Sequence, residues 1–343
     1  CQGGGGCATA CPTGAITYAY PLAADLLGIL RQALQAFRSG GGTAPALLFY
    51  DEASQEAVFG GLSSMPERVI PVPVEEVGSV GMDTWLAAIA YGADAVVVAT
   101  ADATPAQLVE AAQDQLVTAR AILAGMGFDE RCVQLLNVAQ PAAALAALAA
   151  MPTGPARPPA AFVAPPDKRG RLRMALQHLH AHAPAPKRSI ALQKGAPFGE
   201  IRVDAHACTL CMSCVSSCPT HALQDGRGLP QLNFREWSCV QCGLCERTCP
   251  ESAITLNPRF VYDIELREKP RLLHEEQPLC CVSCGKPFAT RSMLDVLEKK
   301  LAGHWMFQTE ESRRRLLMCE DCRVRDMFSG EAKKGRPGPG AGG

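Results

Sequence analysis

Two runs of cysteine constrain this chain more than any other feature. Cys208, Cys211, Cys214 and Cys218 precede Pro219, and Cys239, Cys242, Cys245 and Cys249 precede Pro250, giving two copies of C-x2-C-x2-C-x3-C-P. Three thiolates at so tight a spacing wrap a loop around one iron-sulfur cube, and the cysteine before each proline is free to point elsewhere. Two zinc knuckles or a disulfide framework are the competing readings. Zinc, however, prefers four thiolates paired as two CxxC hairpins and has no use for a third cysteine or a Cys-Pro corner.

The flanks agree with the motif. In FGEIRVDAHACTLC, Ile201 and Val203 alternate as in a short strand that feeds the first ligand loop. Each Cys-Pro corner is followed by a brief turn and a small residue, Ala222 or Ala253, where a bulky side chain would crowd a cluster. Residues 201–262 thus resemble a complete bacterial two-cluster ferredoxin domain, a small α+β fold. The resemblance implies that each fourth cysteine crosses to the other cube. Cys208, Cys211, Cys214 and Cys249 would then hold one 4Fe-4S cluster, and Cys239, Cys242, Cys245 and Cys218 the second.

At 343 residues the chain is long enough for about two to three domains. A net charge of −1 supplies no global field toward nucleic acid or an anionic membrane. Seventeen cysteines in clustered C-x2-C runs, without a secretory segment, favour metal ligation in a reducing compartment, and the cytoplasm is the expected location. The longest low-charge helical stretch, Ala142 to Met151, is too short to span a bilayer.

The N-terminal residues, 1–20, carry a degenerate copy of the same run. Cys1, Cys7, Cys11 and Pro12 keep its spacing, but Gly4 replaces the second cysteine. One missing thiolate leaves an iron without a protein ligand, so a 3Fe-4S cluster, a 4Fe-4S cluster with an outside ligand, and no cluster all remain open. The chain begins with Cys1 inside this run, and an upstream portion is expected.

Residues 21–155 are rich in Ala, Leu and Val. Ala46 to Asp51, Arg68 to Val74, Asp94 to Thr100 and Cys132 to Val138 are apolar runs of the kind found in buried parallel strands, with helical stretches between them. Thr104, Pro105 and Gln107 predict a capping box for a helix that Gly125 and Gly127 should stop. The alternation implies a doubly wound α/β domain. Cys132, at a strand start, reads as a small buried thiol. The segments GMDTWLAAIAYGADAVVVA and ARAILAGMGFDERCVQLLNV resemble the α/β domain of the delta-type iron-sulfur subunit of hydrogenases. In that family cysteines after the GAD-type strand bind a cluster; here ATADATP stands there, which implies a docking or scaffolding domain without a cofactor of its own.

Residues 156–200 are dense in Pro and read as an extended, mobile basic linker with Lys168, Arg169, Arg171 and Arg173 on a solvated face and His178, His180 and His182 as polar linker residues. In residues 263–330, Cys281 and Cys284 form one CxxC pair, with Gly285 for its tight turn, and Cys319 and Cys322 form another. Four such thiolates match a structural zinc site, and a third 4Fe-4S cluster on the same residues is the alternative. Residues 331–343 lack core-forming side chains and read as a disordered tail. Only Cys132 and Cys280 stand outside metal-type runs.

A multi-domain chain built this way reads as an electron carrier or redox subunit rather than a catalyst, since no nucleophile elbow or H-E-x-x-H is present. The whole arrangement resembles the large ferredoxin-like proteins associated with bacterial formate dehydrogenase. That resemblance implies redox-enzyme partners, with an assembly or maturation factor for a molybdenum enzyme as the second reading. No domain-wide basic face suggests nucleic-acid binding.

Overall fold

ALLFY and AVVVAT are buried at every position, as strands covered on both faces must be. The computed structural model, which describes residues 5–61 and 65–334, assembles them with two neighbours into a parallel sheet. β1 (Ala46–Tyr50), β2 (Val69–Pro73), β3 (Ala95–Thr100) and β4 (Val133–Asn137) lie in the order β2-β1-β3-β4. Leu48 sits opposite Pro71 and Val97 on β1's two sides, and Val98 opposite Leu135. All four strands coincide within a residue with the apolar runs of the sequence.

The described chain divides into two compact units. The first runs through Gly199 and includes Val240–Cys242 and Pro258–Arg267. Besides the sheet it holds α1 (Gly6–Ala10), α2 (Ala23–Ser39), α3 (Glu52–Glu56), α4 (Met82–Ala90), α5 (Ala106–Met126), α6 (Pro141–Ala149) and α7 (Lys168–Ala181). One face of the sheet packs Leu48, Val97 and Ala99 against Val58, Ala144, Leu148 and Met151. α4 is buried along all nine of its residues, so nothing in it is amphipathic.

α5 departs from its expected ends. No capping box forms: Thr104 Oγ1 instead accepts from the Ala101 amide at 2.9 Å, and α5 has no side-chain cap. Gly127, at φ +87°, ends the helix in the left-handed conformation that glycine adopts freely. Gly125 stays helical, and its role is space, because a Cβ there would lie 2.1 Å from Tyr262 Oη. That hydroxyl donates to the Ile122 carbonyl at 2.7 Å.

The Pro-rich stretch differs from the extended, mobile linker of the sequence reading. Residues 151–167 have no regular secondary structure, yet they are strapped onto the unit: the Ala160 amide donates to Ala90 O at 2.8 Å and the Gly154 amide to Asp94 Oδ2 at 2.7 Å. Arg157 donates to the carbonyls of Ile89 and Ala93, at and just past the end of α4, at 3.1 and 2.6 Å. Proline removes a backbone donor and thereby excludes helix and sheet, but it does not exclude packing. Beyond it, Asp167 caps α7, whose Leu172, Ala175, Leu176 and Leu179 form a buried stripe at helical spacing. The basic face is likewise not wholly solvated. Arg171 is buried in an ion pair with Asp83 at 2.8 Å, and buried Lys168 donates to the carbonyls of Ala8, Thr9 and Cys11 at 3.1, 2.5 and 3.0 Å. Of the histidines, His178 Nε2 lies 2.9 Å from the Pro158 carbonyl and the His180 ring stacks on Tyr262.

The second unit comprises Glu200–Cys239, Gly243–Asn257 and the residues from Glu268 onward. β5 (Ser189–Ala191) belongs to the first unit, where it pairs antiparallel with the end of β9 (Ile254–Val261), Ile190 opposite Phe260. β6 (Gly199–Val203) lies on the other side of β9. The cysteine runs fill the stretch from β6 to β9 with α8 (Ser213–Ser216), a hairpin of β7 (Leu223–Gly226) and β8 (Leu229–Phe234), and α9 (Leu244–Thr248). α10 (Ile264–Glu268) follows, and β10 (Arg271–Glu275) completes a β10-β8-β7 sheet. Last come the hairpin β11 (Pro278–Cys280) and β12 (Pro287–Thr290), then α11 (Arg291–Leu301), α12 (Glu310–Leu316) and α13 (Glu320–Lys334). Of the expected tail, residues 331–343, the first four continue α13 to Lys334, and residues 335–343 lie outside the described residues.

Candidate functional site

The two ligand loops repeat each other in backbone as well as in cysteine spacing. In the first, Leu210, Met212 and His221 take positive φ of 55°, 61° and 51°; in the second, Gln241, Gly243 and Ser252 take 55°, 77° and 51°. These are equivalent positions, each pair standing at the same offset from its run's first cysteine. Five of the six are not glycine, and each such residue costs about 1 kcal/mol in the left-handed region. A loop that pays this repeatedly is held open around something. Only Gly243 advertised the geometry in the sequence.

Cys208, Cys211, Cys214 and Cys249 line one cavity together with Leu210, Leu232 and Ile254. The structure thus brings together the three cysteines of one run and the fourth of the other. Burial pushes the Cys214 thiol up to about 11, and the neighbouring Cys208, Cys211 and Cys249 push it the same way. Burial likewise raises Cys208, with Cys249 and Cys211 adding to it. Four thiolates sharing a hollow repel one another, and a polycationic iron core is the kind of group that relieves this. Backbone donors are already aimed at sulfur: the Ala253 amide donates to Cys249 Sγ at 3.3 Å. At Cys218 burial raises the thiol, but the amides of Leu223, Thr220 and Ala222 and the Thr220 hydroxyl outweigh it and lower it overall. Ala222 and Ala253 are both buried, at the positions where the sequence reading required small side chains.

For the second set, Cys239 and Cys245 are buried in the same apolar cluster that Cys218 packs against, while Cys242 is exposed. Cys211, its counterpart in the first run, is exposed too. Among the described residues, none of these eight cysteines belongs to a group of three or more whose ligand atoms converge within 4.8 Å. In a cubane each thiolate sits on its own iron, so a cube does not ask its four sulfurs to converge as a single ion does.

At the N-terminus Cys1 lies outside the described residues. Cys7 is exposed on α1, and Cys11 ends that helix with its Sγ 3.3 Å from Thr13 Oγ1. Burial raises the Cys11 thiol, but the Thr13 hydroxyl and the amides of Thr13, Ile16 and Ala15 outweigh it and bring it to about 7. Among the described residues no convergent ligand group includes Cys7 or Cys11. In the C-terminal part, by contrast, the sulfurs of Cys281, Cys284, Cys319 and Cys322 all lie within 4.8 Å of one another. Cys280 is exposed and apart from that group, and Cys132 is buried as expected.

No helix among the described residues is long and apolar enough to cross a membrane. No curated protein matches the chain significantly. Residues 207–254, from just before Cys208 to the start of β9, match the 4Fe-4S dicluster domain family, so the chain carries an iron-sulfur domain of ferredoxin type.

Proposed function

We propose that the protein is an electron carrier in which two 4Fe-4S clusters relay single electrons between redox enzymes, Cys208, Cys211, Cys214 and Cys249 holding one and Cys239, Cys242, Cys245 and Cys218 the other. The observation that carries the reading is the cavity that gathers three cysteines of one run with the last of the other. Bound there, such clusters supply one-electron transfer with little rearrangement. The chain's own part is to set their potentials and their access. The amides on Cys249 and Cys218 stabilise negative charge on sulfur, and the apolar lining of Leu210, Leu232 and Ile254 excludes water. Cys211 and Cys242 are the exposed thiols of the two sets, and they mark where an electron enters or leaves.

The α/β unit, read as doubly wound and hydrogenase-delta-like, acts in this account as a docking scaffold. ATADATP follows β3 without a cysteine, so the unit adds no cluster of its own there. By its resemblance to ferredoxin-like proteins of formate dehydrogenase systems, the partner is a dehydrogenase of that kind in a reducing, cytoplasmic compartment. The test is reductive titration of anaerobically purified protein, followed by mixing with an oxidised acceptor. Low-potential bleaching of cluster absorbance and its recovery on mixing support the relay. Clusters that exchange electrons with no dehydrogenase, in a protein that binds an immature apo-enzyme, would replace it with a maturation role.

A further inference from the structure

The four C-terminal thiols distinguish between the two cofactors that their spacing in sequence left open. Around a single tetrahedral zinc ion, Zn–S bonds of about 2.3 Å place neighbouring sulfurs about 3.8 Å apart. Around a cubane each thiolate sits on its own iron, and the sulfurs spread to about 6 Å. Cys284 Sγ and Cys319 Sγ, one from each pair, are 3.7 Å apart, and no two of the four sulfurs exceed 4.8 Å. There is room for one ion and none for a cube.

The backbone around the thiols has the form of a closed structural site. Gly285, at φ +75°, turns the chain so that its amide donates to Cys281 O at 2.9 Å, and the Ser283 amide reaches Cys281 Sγ at 3.4 Å. Cys319 immediately precedes α13 and Cys322 lies in its first turn, so a hairpin supplies two thiols and a helix start the other two. Cys281, Cys319 and Cys322 are buried and Cys284 is exposed, and four thiolates would fill every position of a tetrahedral ion, as structural zinc sites do. The apolar support is thin: among the described residues, only Met318 and the partly buried Phe288 join Cys281, Cys319 and Cys322 in their cluster. A core this small needs a staple.

We propose that Cys281, Cys284, Cys319 and Cys322 bind one zinc(II) ion in a tetrathiolate site that fixes the β11-β12 hairpin to the start of α13 and takes no part in electron transfer. The site does not depend on the dicluster reading, and the two fail separately. Metal and acid-labile sulfide are measured on full-length protein purified anaerobically, as wild type, Cys284→Ser and Cys322→Ser. The expected result is about one zinc per chain in wild type, lost in both variants, with iron and sulfide unchanged. Zinc-edge X-ray absorption of the wild type keeps the question open to refutation if the variants fail to fold, and it should show four sulfurs at about 2.3 Å. Loss of one iron in the variants, loss of about four irons with sulfide, or wild-type protein without stoichiometric zinc would each overturn the proposal.

Discussion

The buried hydroxyl of Thr290, at the end of β12, donates a 3.0 Å hydrogen bond to the carbonyl of Thr209, the residue next to Cys208. The same oxygen accepts from the Met293 amide at 3.2 Å and so caps α11. One side chain therefore ties the C-terminal hairpin and helix to the first ligand loop within the second unit.

Replacing that hydroxyl by a methyl, Thr290→Val, removes the cap and leaves the Thr209 carbonyl without this donor. The expected cost is about 1–3 kcal/mol in chemical unfolding. The cluster proposed on Cys208, Cys211, Cys214 and Cys249 should be lost faster in air, leaving about four irons per chain and the uncoupled signal of the remaining centre. Loss of all the iron together would show that Thr290 acts on the fold as a whole.

Asp83 and Arg171 form a buried pair whose Nε and Nη2 reach one carboxylate oxygen at 2.9 and 2.8 Å. Removing one partner strands the other charge away from water. Asp83→Ala should cost about 3–5 kcal/mol in denaturant melts, far beyond an exposed pair such as Arg291 with Asp295. A loss below about 1 kcal/mol would mean that the pair is solvated.

Gly125→Ala tests whether space or helix propensity rules inside α5. Alanine gains about 1 kcal/mol in an open helix. Here its Cβ would meet Tyr262 Oη at 2.1 Å and Ile190 Cγ2 at 2.9 Å, and overpacking costs about 1–3 kcal/mol, with the Tyr262 hydrogen bond lost in addition. Net destabilisation is expected, partly relieved by Tyr262→Phe in the same chain. A stabilised single variant would contradict the packing.

Burial pushes the Cys132 thiol up from an ordinary 9.0 to about 12. Between those values the unfolded chain has released a proton that the folded chain retains. Stability therefore falls as pH rises above 9, by up to about 1.4 kcal/mol per pH unit, and this contribution is flat below pH 9. Cys132→Ala should flatten the decline when unfolding is measured from pH 8 to 11. Parallel curves for the two proteins would show that Cys132 ionises as freely folded as unfolded.

Much of this was readable in the residues. The four parallel strands announced themselves because a strand buried on both faces must be apolar throughout, and the cysteine runs did so because their spacing answers to a cluster's size. Composition misled at residues 156–200. Proline and arginine there suggested a free, solvated segment, although Leu172, Ala175, Leu176 and Leu179 carried a helical stripe that a periodicity count alone would find. Nor could a sequence show that Lys168 would bury its ammonium against three carbonyls, since that arrangement joins residues about 160 positions apart. The left-handed loop residues were hidden for another reason: Leu210, Met212, His221, Gln241 and Ser252 are held there by the loop around the thiols, against their own preferences.

The most direct measurement is iron and acid-labile sulfide per chain in anaerobically purified protein, read beside the paramagnetic resonance of its dithionite-reduced form. Two cubanes on the interleaved cysteines require about eight irons and eight sulfides, with a signal broadened by magnetic coupling between neighbouring centres. Stoichiometric zinc without sulfide at Cys208 through Cys249, or a single uncoupled cluster, would contradict it.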